Sequence, residues 1–241
     1  MGTIITIGGG QEPFSRTPHI SKKIIELSQK QNPKVLFIGT ATRDSKDYID
    51  NFTDFFTLLG ANVDCLELVS SNPTREAVKE SIMNHDIIYV GGGDTRFMIK
   101  HWKQFNLKEV LIEAYHKGII LCGVSAGSIC WYQWGNSDSE SFGESNEWSF
   151  IQTPGLGFIN LAHCPHYDDP GRDSFDGMMN GEESLDGVAL ENGTALLVQD
   201  GKGQIIKDDD NKKGYYFKQT EKGILKLEIE DDTIIEILLN I

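Results

Sequence analysis

Residues 118–132 read Gly118-Ile119-Ile120-Leu121-Cys122-Gly123-Val124-Ser125-Ala126-Gly127-Ser128-Ile129-Cys130-Trp131-Tyr132: an apolar run, a five-residue block with serine at its centre, and the opening of a helix. This is the pattern of a nucleophile elbow, in which a strand feeds a sharp turn into a helix and lifts one side chain out at the carboxyl end of a sheet. Glycines on either side leave room for the crowded backbone. Ser125 then stands at the positive end of a helix, where backbone N–H groups receive an oxyanion. In a chain with 25 glycines the five-letter pattern alone is weakly specific, so its strand-turn-helix context carries the reading.

Working back from the elbow, strand-like and helix-like segments alternate. Thr3 to Ile7 is β-branched and ends in Gly8-Gly9-Gly10, Ser21 to Leu27 is helical in pattern, and Lys34 to Ile38 is again strand-like. Tyr48, Ile49, Phe52, Phe55, Phe56 and Leu59 form one apolar stripe of a helix that stops at Gly60. A strand at Val63 to Leu68 follows, then a helix capped by Asn72 or Thr74 and running to about Asn84, then a buried strand at Asp86 to Val90. Thr95 to His116 holds one or two helices broken near Asn106. Such alternation predicts an α/β fold: a doubly wound, mostly parallel sheet with helices on both faces, whose ligands bind at the carboxyl ends of the strands.

Beyond Tyr132 the pattern changes. Trp134 to Phe150 is rich in Gly, Ser, Asn and acid and reads as a long functional loop. From Val188 onward, Ala195 to Val198, Gln204 to Ile206, Tyr215 to Phe217, Leu225 to Ile229 and Thr233 to Leu238 are short strands between polar turns, expected as an antiparallel C-terminal edge extension on the same domain. Asp208-Asp209-Asp210-Asn211 and Asp231-Asp232 look like its hairpin turns; the first lacks the spacing and closing glutamate of a calcium loop. No repeat or linker divides the chain. One domain over residues 1–241 is expected, with about 200–241 as the edge extension.

Composition bounds the function. The 241 residues suffice for a large core, and 39% hydrophobic with 24% charged residues is the mix of a soluble globule. A net charge of −14 argues against nucleic acid or an anionic membrane as partner. Neither a signal segment nor an apolar run of about 18 residues is visible, so a cytoplasmic protein, monomer or homodimer, is the expectation. Cys65, Cys122, Cys130 and Cys164 lack paired spacing and read as buried thiols rather than a zinc or disulfide framework.

A nucleophilic serine needs a base, a group to orient the base, and donors for the developing oxyanion. His19, His85, His101 and His116 lie in or beside predicted helices and turns and read as ordinary polar positions. His163 and His166 fall near a strand end in Ala162-His163-Cys164-Pro165-His166-Tyr167-Asp168, and His166 is the candidate base. A metal site from His163, His166 and Asp168 is the rival, made awkward because residues three apart on a strand face opposite sides. Gly91-Gly92-Gly93-Asp94-Thr95 follows a strand and precedes a helix, without the spacing of a dinucleotide fingerprint or Walker loop. If its strand neighbours that of Ser125, the Gly93 and Ala126 N–H groups face the same carbonyl as oxyanion donors.

Taken in order, Val90 to Thr95, Gly123 to Gly127 and Cys164 to Tyr167 resemble the successive blocks of the peptidase E (aspartyl dipeptidase) family, serine peptidases with the class I glutamine amidotransferase-like fold and relatives of cyanophycinase. The resemblance covers about residues 3–200. It implies Ser125 as nucleophile, His166 as general base, Gly93 and Ala126 as oxyanion donors, a small peptide as substrate, and no cofactor or metal. It also implies an orienting acid, for which Asp138 and Glu191 both qualify. The family prefers an aspartyl residue on the amino side of the scissile bond, and Arg172 is the matching arginine, with Asp94 as a second candidate substrate contact. The chain departs from the family pattern in the acids Asp138, Glu140, Glu144 and Glu147 after the elbow and in its strand-rich tail. An isopeptidase of β-aspartyl linkages and a non-catalytic binding protein are the alternative readings. An amidotransferase would require cysteine at the elbow apex, where Ser125 stands.

Overall fold

The computed structural model describes residues 2–10, 18–143, 149–181, 185–231 and 233–241. Glu144, Glu147 and Asp232, singled out above, lie outside them.

The first half folds as its pattern predicts. Strands β1 (Thr3–Ile7), β2 (Lys34–Ile38), β3 (Asn62–Cys65), β4 (Ile87–Val90) and β5 (Ile120–Val124) alternate with helices α1 (Pro18–Leu27), α2 (Lys46–Leu58), α3 (Arg75–Met83), α4 (Thr95–Trp102) and α5 (Leu107–His116). Thr74 caps α3, its hydroxyl accepting the Ala77 N–H at 3.2 Å. The strands stack in parallel in the order β1-β5-β4-β2-β3. Apart from the edge strand β3, they are buried on both faces and read as near-continuous apolar runs.

Successive residues of β1, β2, β4 and β5 enter opposite cores, as the period of two demands. Ile5, Ile7, Phe37, Tyr89, Cys122 and Val124 pack with Ile20 and Ile24 of α1 and with Tyr48, Phe52 and Phe56 of α2. Ile4, Leu36, Ile38, Ile88, Val90 and Leu121 pack on the other side with residues of α3, α4 and α5. The apolar stripe of α2 becomes an aromatic stack, with Phe52 centred 4.2 Å from both Phe37 and Phe56 and 4.8 Å from Tyr89.

The remaining elements are α6 (Ala126–Ile129), β6 (Tyr132–Ser137), β7 (Ile151–Pro154), β8 (Ile159–Cys164), α7 (Ser174–Asn180), β9 (Gly187–Leu190), β10 (Thr194–Gln199), β11 (Lys202–Lys207), β12 (Gly214–Thr220), β13 (Gly223–Glu228) and β14 (Ile235–Glu236). Six of these strands build a second sheet that the sequence does not announce. Its order is β13-β12-β9-β8-β6-β7, parallel between β6, β8 and β9 and antiparallel elsewhere. Tyr132, Ile159, Leu161, Val188 and Leu190 from this sheet join the core on the α3–α5 side of the first.

The C-terminal strands do pair antiparallel, but they divide between the sheets. Strands β10, β11 and β14 extend the first sheet beside β1, while β12 and β13 belong to the second. The aspartate-rich segments at 208–211 and 231 are therefore not hairpin turns; the chain crosses there from one sheet to the other. The β10–β11 hairpin closes at Asp200-Gly201, both with left-handed φ (50° and 75°). Trp134 to Ser137, expected in a loop, are part of β6, followed by a 3-10 turn at Ser139–Phe142. No described helix is long and apolar enough to cross a membrane.

Candidate active site

Most loops of the site leave the carboxyl end of a parallel strand, where an open α/β sheet places its ligands. From the first sheet come Gly8-Gly9-Gly10 after β1, Thr42 after β2, Gly92-Gly93 after β4 and Ser125 after β5. The second adds His166 after β8 and Asn192 after β9. Together with Tyr48, Asp168, Asp169, Asp208, Asp209 and Lys212, residues from these loops line one cleft of about 910 Å³.

Ser125 occupies a sharp elbow, with φ 55° and ψ −117° immediately before α6. A non-glycine residue in such a conformation costs on the order of 1–3 kcal/mol and persists only where its surroundings hold it. Here its N–H donates to Ile7 O at 3.1 Å, and its carbonyl accepts the N–H groups of Ser128 and Ile129 at 2.9 and 3.0 Å. The flanking glycines are steric necessities: a Cβ on Gly127 would lie 2.1 Å from Val90 O, and one on Gly123 would lie 2.2 Å from Gly127 O. Strands β4 and β5 are neighbours, as the oxyanion reading requires. The Gly92 N–H donates to the Tyr48 hydroxyl at 3.1 Å. The N–H groups of Gly93 and Ala126 donate to no acceptor among the described residues.

His166 also has a left-handed backbone, with φ 53°. The conformation is held by His166 N–H to Gly8 O at 2.9 Å, Tyr167 N–H to Leu190 O at 3.0 Å and Asp169 N–H to His166 O at 2.8 Å. Its Nδ1 lies 2.7 Å from Asn192 Oδ1 and 3.7 Å from Asp169 Oδ2. Burial, and next the Arg172 guanidinium, push the imidazole below its ordinary range; the Asn192 hydrogen bond, Asp169 and Asp138 oppose the shift.

Neither Asp138 nor Glu191 hydrogen-bonds to His166. Glu191 turns away, its carboxylate accepting the Lys213 N–H at 3.0 Å and the Tyr215 hydroxyl at 3.5 Å. Asp138 lies 3.8 Å from Arg172 and reaches His166 only through space. The hydrogen-bonded partner is Asn192, which the sequence reading missed. Its signal is its place beside Glu191 just past the end of β9, but the two lie in a loop, where no strand period sets direction, and only the fold decides which of them faces the cleft.

The two expected substrate contacts, Asp94 and Arg172, both have partners within the protein. Asp94 caps α4, accepting the Phe97 N–H at 3.0 Å, and pairs with Arg43 at 3.6 Å, so its carboxylate is already committed. Arg172 is buried, 5% exposed, and is not part of the cleft lining. Its Nη1 donates to Asn136 O and Oδ1 at 2.8 and 3.1 Å, and its plane covers the Phe150 ring at 4.4 Å.

The rival metal site is not formed. His163 is fully buried and stacks on Tyr132 at 4.4 Å; its Nδ1 meets Val188 O at 3.1 Å and its Nε2 the Ser128 hydroxyl at 2.9 Å. Among the described residues, no group of three His, Cys, Asp or Glu side chains is placed to hold a metal ion.

A doubly wound sheet that brings a serine-bearing elbow and a histidine to one cleft is an arrangement that serine hydrolases share. The chain belongs to peptidase family S51, whose model matches residues 4–206. An uncharacterized peptidase of Bacillus subtilis, YgaJ, is 31% identical over 94% of this chain and 96% of its own length. A peptidase E of Shewanella denitrificans is 27% identical over 65% of this chain and 68% of its own. Among solved structures, a peptidase from an acI-B1 actinobacterium superposes with a TM-score of 0.73 at 19% identity, covering 98% of this chain and 97% of that one. A putative peptidase E from Listeria monocytogenes gives 0.65 at 16% identity over 86% and 98%. At these identities the two structures speak for the fold alone.

Proposed function

We propose that this peptidase hydrolyses short peptides through an acyl-enzyme on Ser125. His166 takes the hydroxyl proton as Ser125 Oγ attacks the peptide carbonyl, with Asn192 holding the imidazole in place. The N–H groups of Gly93 and Ala126 receive the oxyanion, protonated His166 hands its proton to the departing amine, and a water activated by His166 then frees the acyl group. The observation that carries this reading is that Ser125 and His166, each in a left-handed backbone conformation and delivered by different sheets, line one cleft. The test is a fluorophosphonate adduct located on the peptide containing Ser125, together with loss of peptide hydrolysis in Ser125→Ala. A Ser125→Ala enzyme as fast as the parent would overturn the assignment.

The narrower reading is a dipeptidase preferring an amino-terminal Asp. Asp208 and Asp209 of the cleft receive the substrate's α-ammonium, and the aspartyl carboxylate displaces Asp138 from Arg172 to form a bidentate pair. Support comes from the present Arg172–Asp138 separation of 3.8 Å, longer than a direct hydrogen bond and so a weak competitor. Arg172→Ala, assayed on each enzyme's pH plateau, should lose hydrolysis of Asp-Leu while sparing Ala-Leu; equal losses on both refute the preference. A β-aspartyl dipeptide in the same panel distinguishes isopeptidase activity.

A further inference from the structure

Asn192 is an unusual partner for a catalytic imidazole, because a primary amide offers an oxygen or a nitrogen according to how it is turned. Its surroundings remove that freedom. The Asn192 Nδ2 lies 2.9 Å from Asp168 Oδ1 and 2.8 Å from Asp169 Oδ1, so both of its hydrogens point at carboxylates, which only accept. The backbone N–H of Asn192 donates to the same Asp168 oxygen at 2.7 Å. The other Asp168 oxygen takes Lys212 Nζ at 2.7 Å. With the amide nitrogen committed, its oxygen faces His166 Nδ1, which must therefore carry the ring hydrogen and leave Nε2 bare. Lys212 comes from the turn at 208–213 that carries the chain from the first sheet to the second, which ties that crossing to the geometry of the cleft.

We propose that Asp168 and Lys212 are positioning residues for the general base: through Asn192 they fix the tautomer and orientation of His166. The inference rests on His166 being the base. Asp168 contributes most, since one oxygen gathers two donors from Asn192 and the other is held by Lys212. Asp169 secures only the second amide hydrogen, and its side chain is 52% exposed. A cleft-lining Asp168 has an obvious competing role, direct binding of the substrate ammonium, and the two roles separate in kinetics.

The test compares Asp168→Asn, Lys212→Met and the parent by hydrolysis of a small peptide, by the rate of Ser125 acylation with a fluorophosphonate, and by nitrogen NMR of histidine-labelled protein. The positioning role predicts a fall of about 10–100-fold in kcat and in the acylation rate, with KM within about two-fold, and a His166 signal that becomes a mixture of tautomers. A rise in KM with kcat, acylation and tautomer unchanged would assign Asp168 to substrate binding and overturn the proposal. Thermal melts identify a variant that has failed to fold; should Asp168→Asn do so, Lys212→Met decides. If His166→Ala itself remains active, the reading of the base has failed. If His166→Ala is dead while both variants act as the parent, only the present inference falls.

Discussion

Asn192 Oδ1 lies 2.7 Å from Nδ1 of His166, at the place where a serine hydrolase commonly puts a carboxylate. A neutral amide orients an imidazole without strongly stabilising its charged form. The negative charge stands one residue further out, on Asp168 and Asp169. Burial and Lys212 act on Asp168 in opposite directions, and the bonds from Lys212 and the Asn192 N–H prevail, keeping its carboxyl below the ordinary range.

Asn192→Ala should lower kcat by about 10²–10⁴-fold, since the base loses its orientation while Ser125 and the oxyanion donors remain. Asn192→Asp should not restore full activity despite supplying an acid. The new carboxylate would stand against those of Asp168 and Asp169 and either take up a proton or turn away. Steady-state kinetics of both variants provide the check, and an Asn192→Asp enzyme at parental rate would contradict it.

His166 must be neutral to act as a base, and its pKa lies below the ordinary histidine value. The acid limb of kcat/KM should therefore fall below about pH 6.5, with activity rising through it as the imidazole deprotonates. Arg172→Ala removes a cation that opposes the charged imidazole and should move the limb to higher pH. Asp169→Asn removes an anion that favours it and should move the limb lower. Profiles that shift in the opposite senses would show that another group governs the limb.

Gly9 stands against the base. A Cβ at this position would lie 2.2 Å from His166 Nδ1 and 2.3 Å from Asn192 Oδ1, on a backbone with φ 156°. Gly9→Ala should thus separate the pair and reduce kcat at least about ten-fold, with a comparatively small change in melting temperature because the clash is with side chains at the cleft. Kinetics and a thermal melt on the same sample test this.

His163 is fully buried, and burial pushes its pKa down to about 3. An unfolded histidine titrates near 6.5, so the unfolded chain takes up a proton first. The contribution to stability is complete above about pH 6.5 and is lost as pH falls from there toward 3, by up to ~1.4 kcal/mol per pH unit. Denaturant melts across that window should show a shallower acid slope in His163→Gln than in the parent.

Phe52→Ala should destabilise the fold by about 3–5 kcal/mol, because it empties the centre of the stack between Phe37, Phe56 and Tyr89. Tyr48, which supports the Gly92 loop, is carried by the same helix. A melt of the variant gives the loss directly.

Much of this arrangement is local and was legible from residue order. The apolar runs of β1, β2, β4 and β5, the stripe of α2, the Thr74 cap and the elbow around Ser125 each rest on interactions within a dozen residues, where period, capping and turn chemistry dominate. The tail was harder to read. Its strands alternate as strands do in any sheet, and nothing in Gln204 to Ile206 or Tyr215 to Phe217 states which sheet each will join. The acidic turns at 208–211 and 231 look the same whether they close a hairpin or carry the chain across a gap.

From residue order alone came the doubly wound half of the molecule, Ser125 raised at its elbow and His166 as the histidine to set against it. Tertiary structure decided that Asn192 rather than Glu191 meets the imidazole and that Arg172 is buried with Asn136 and Phe150 rather than lining the cleft. The physical reason is that Glu191, Asn192 and Arg172 lie in connecting loops, where no period sets the direction of a side chain. Which of them looks into the cleft is set by partners more than twenty residues away in the chain.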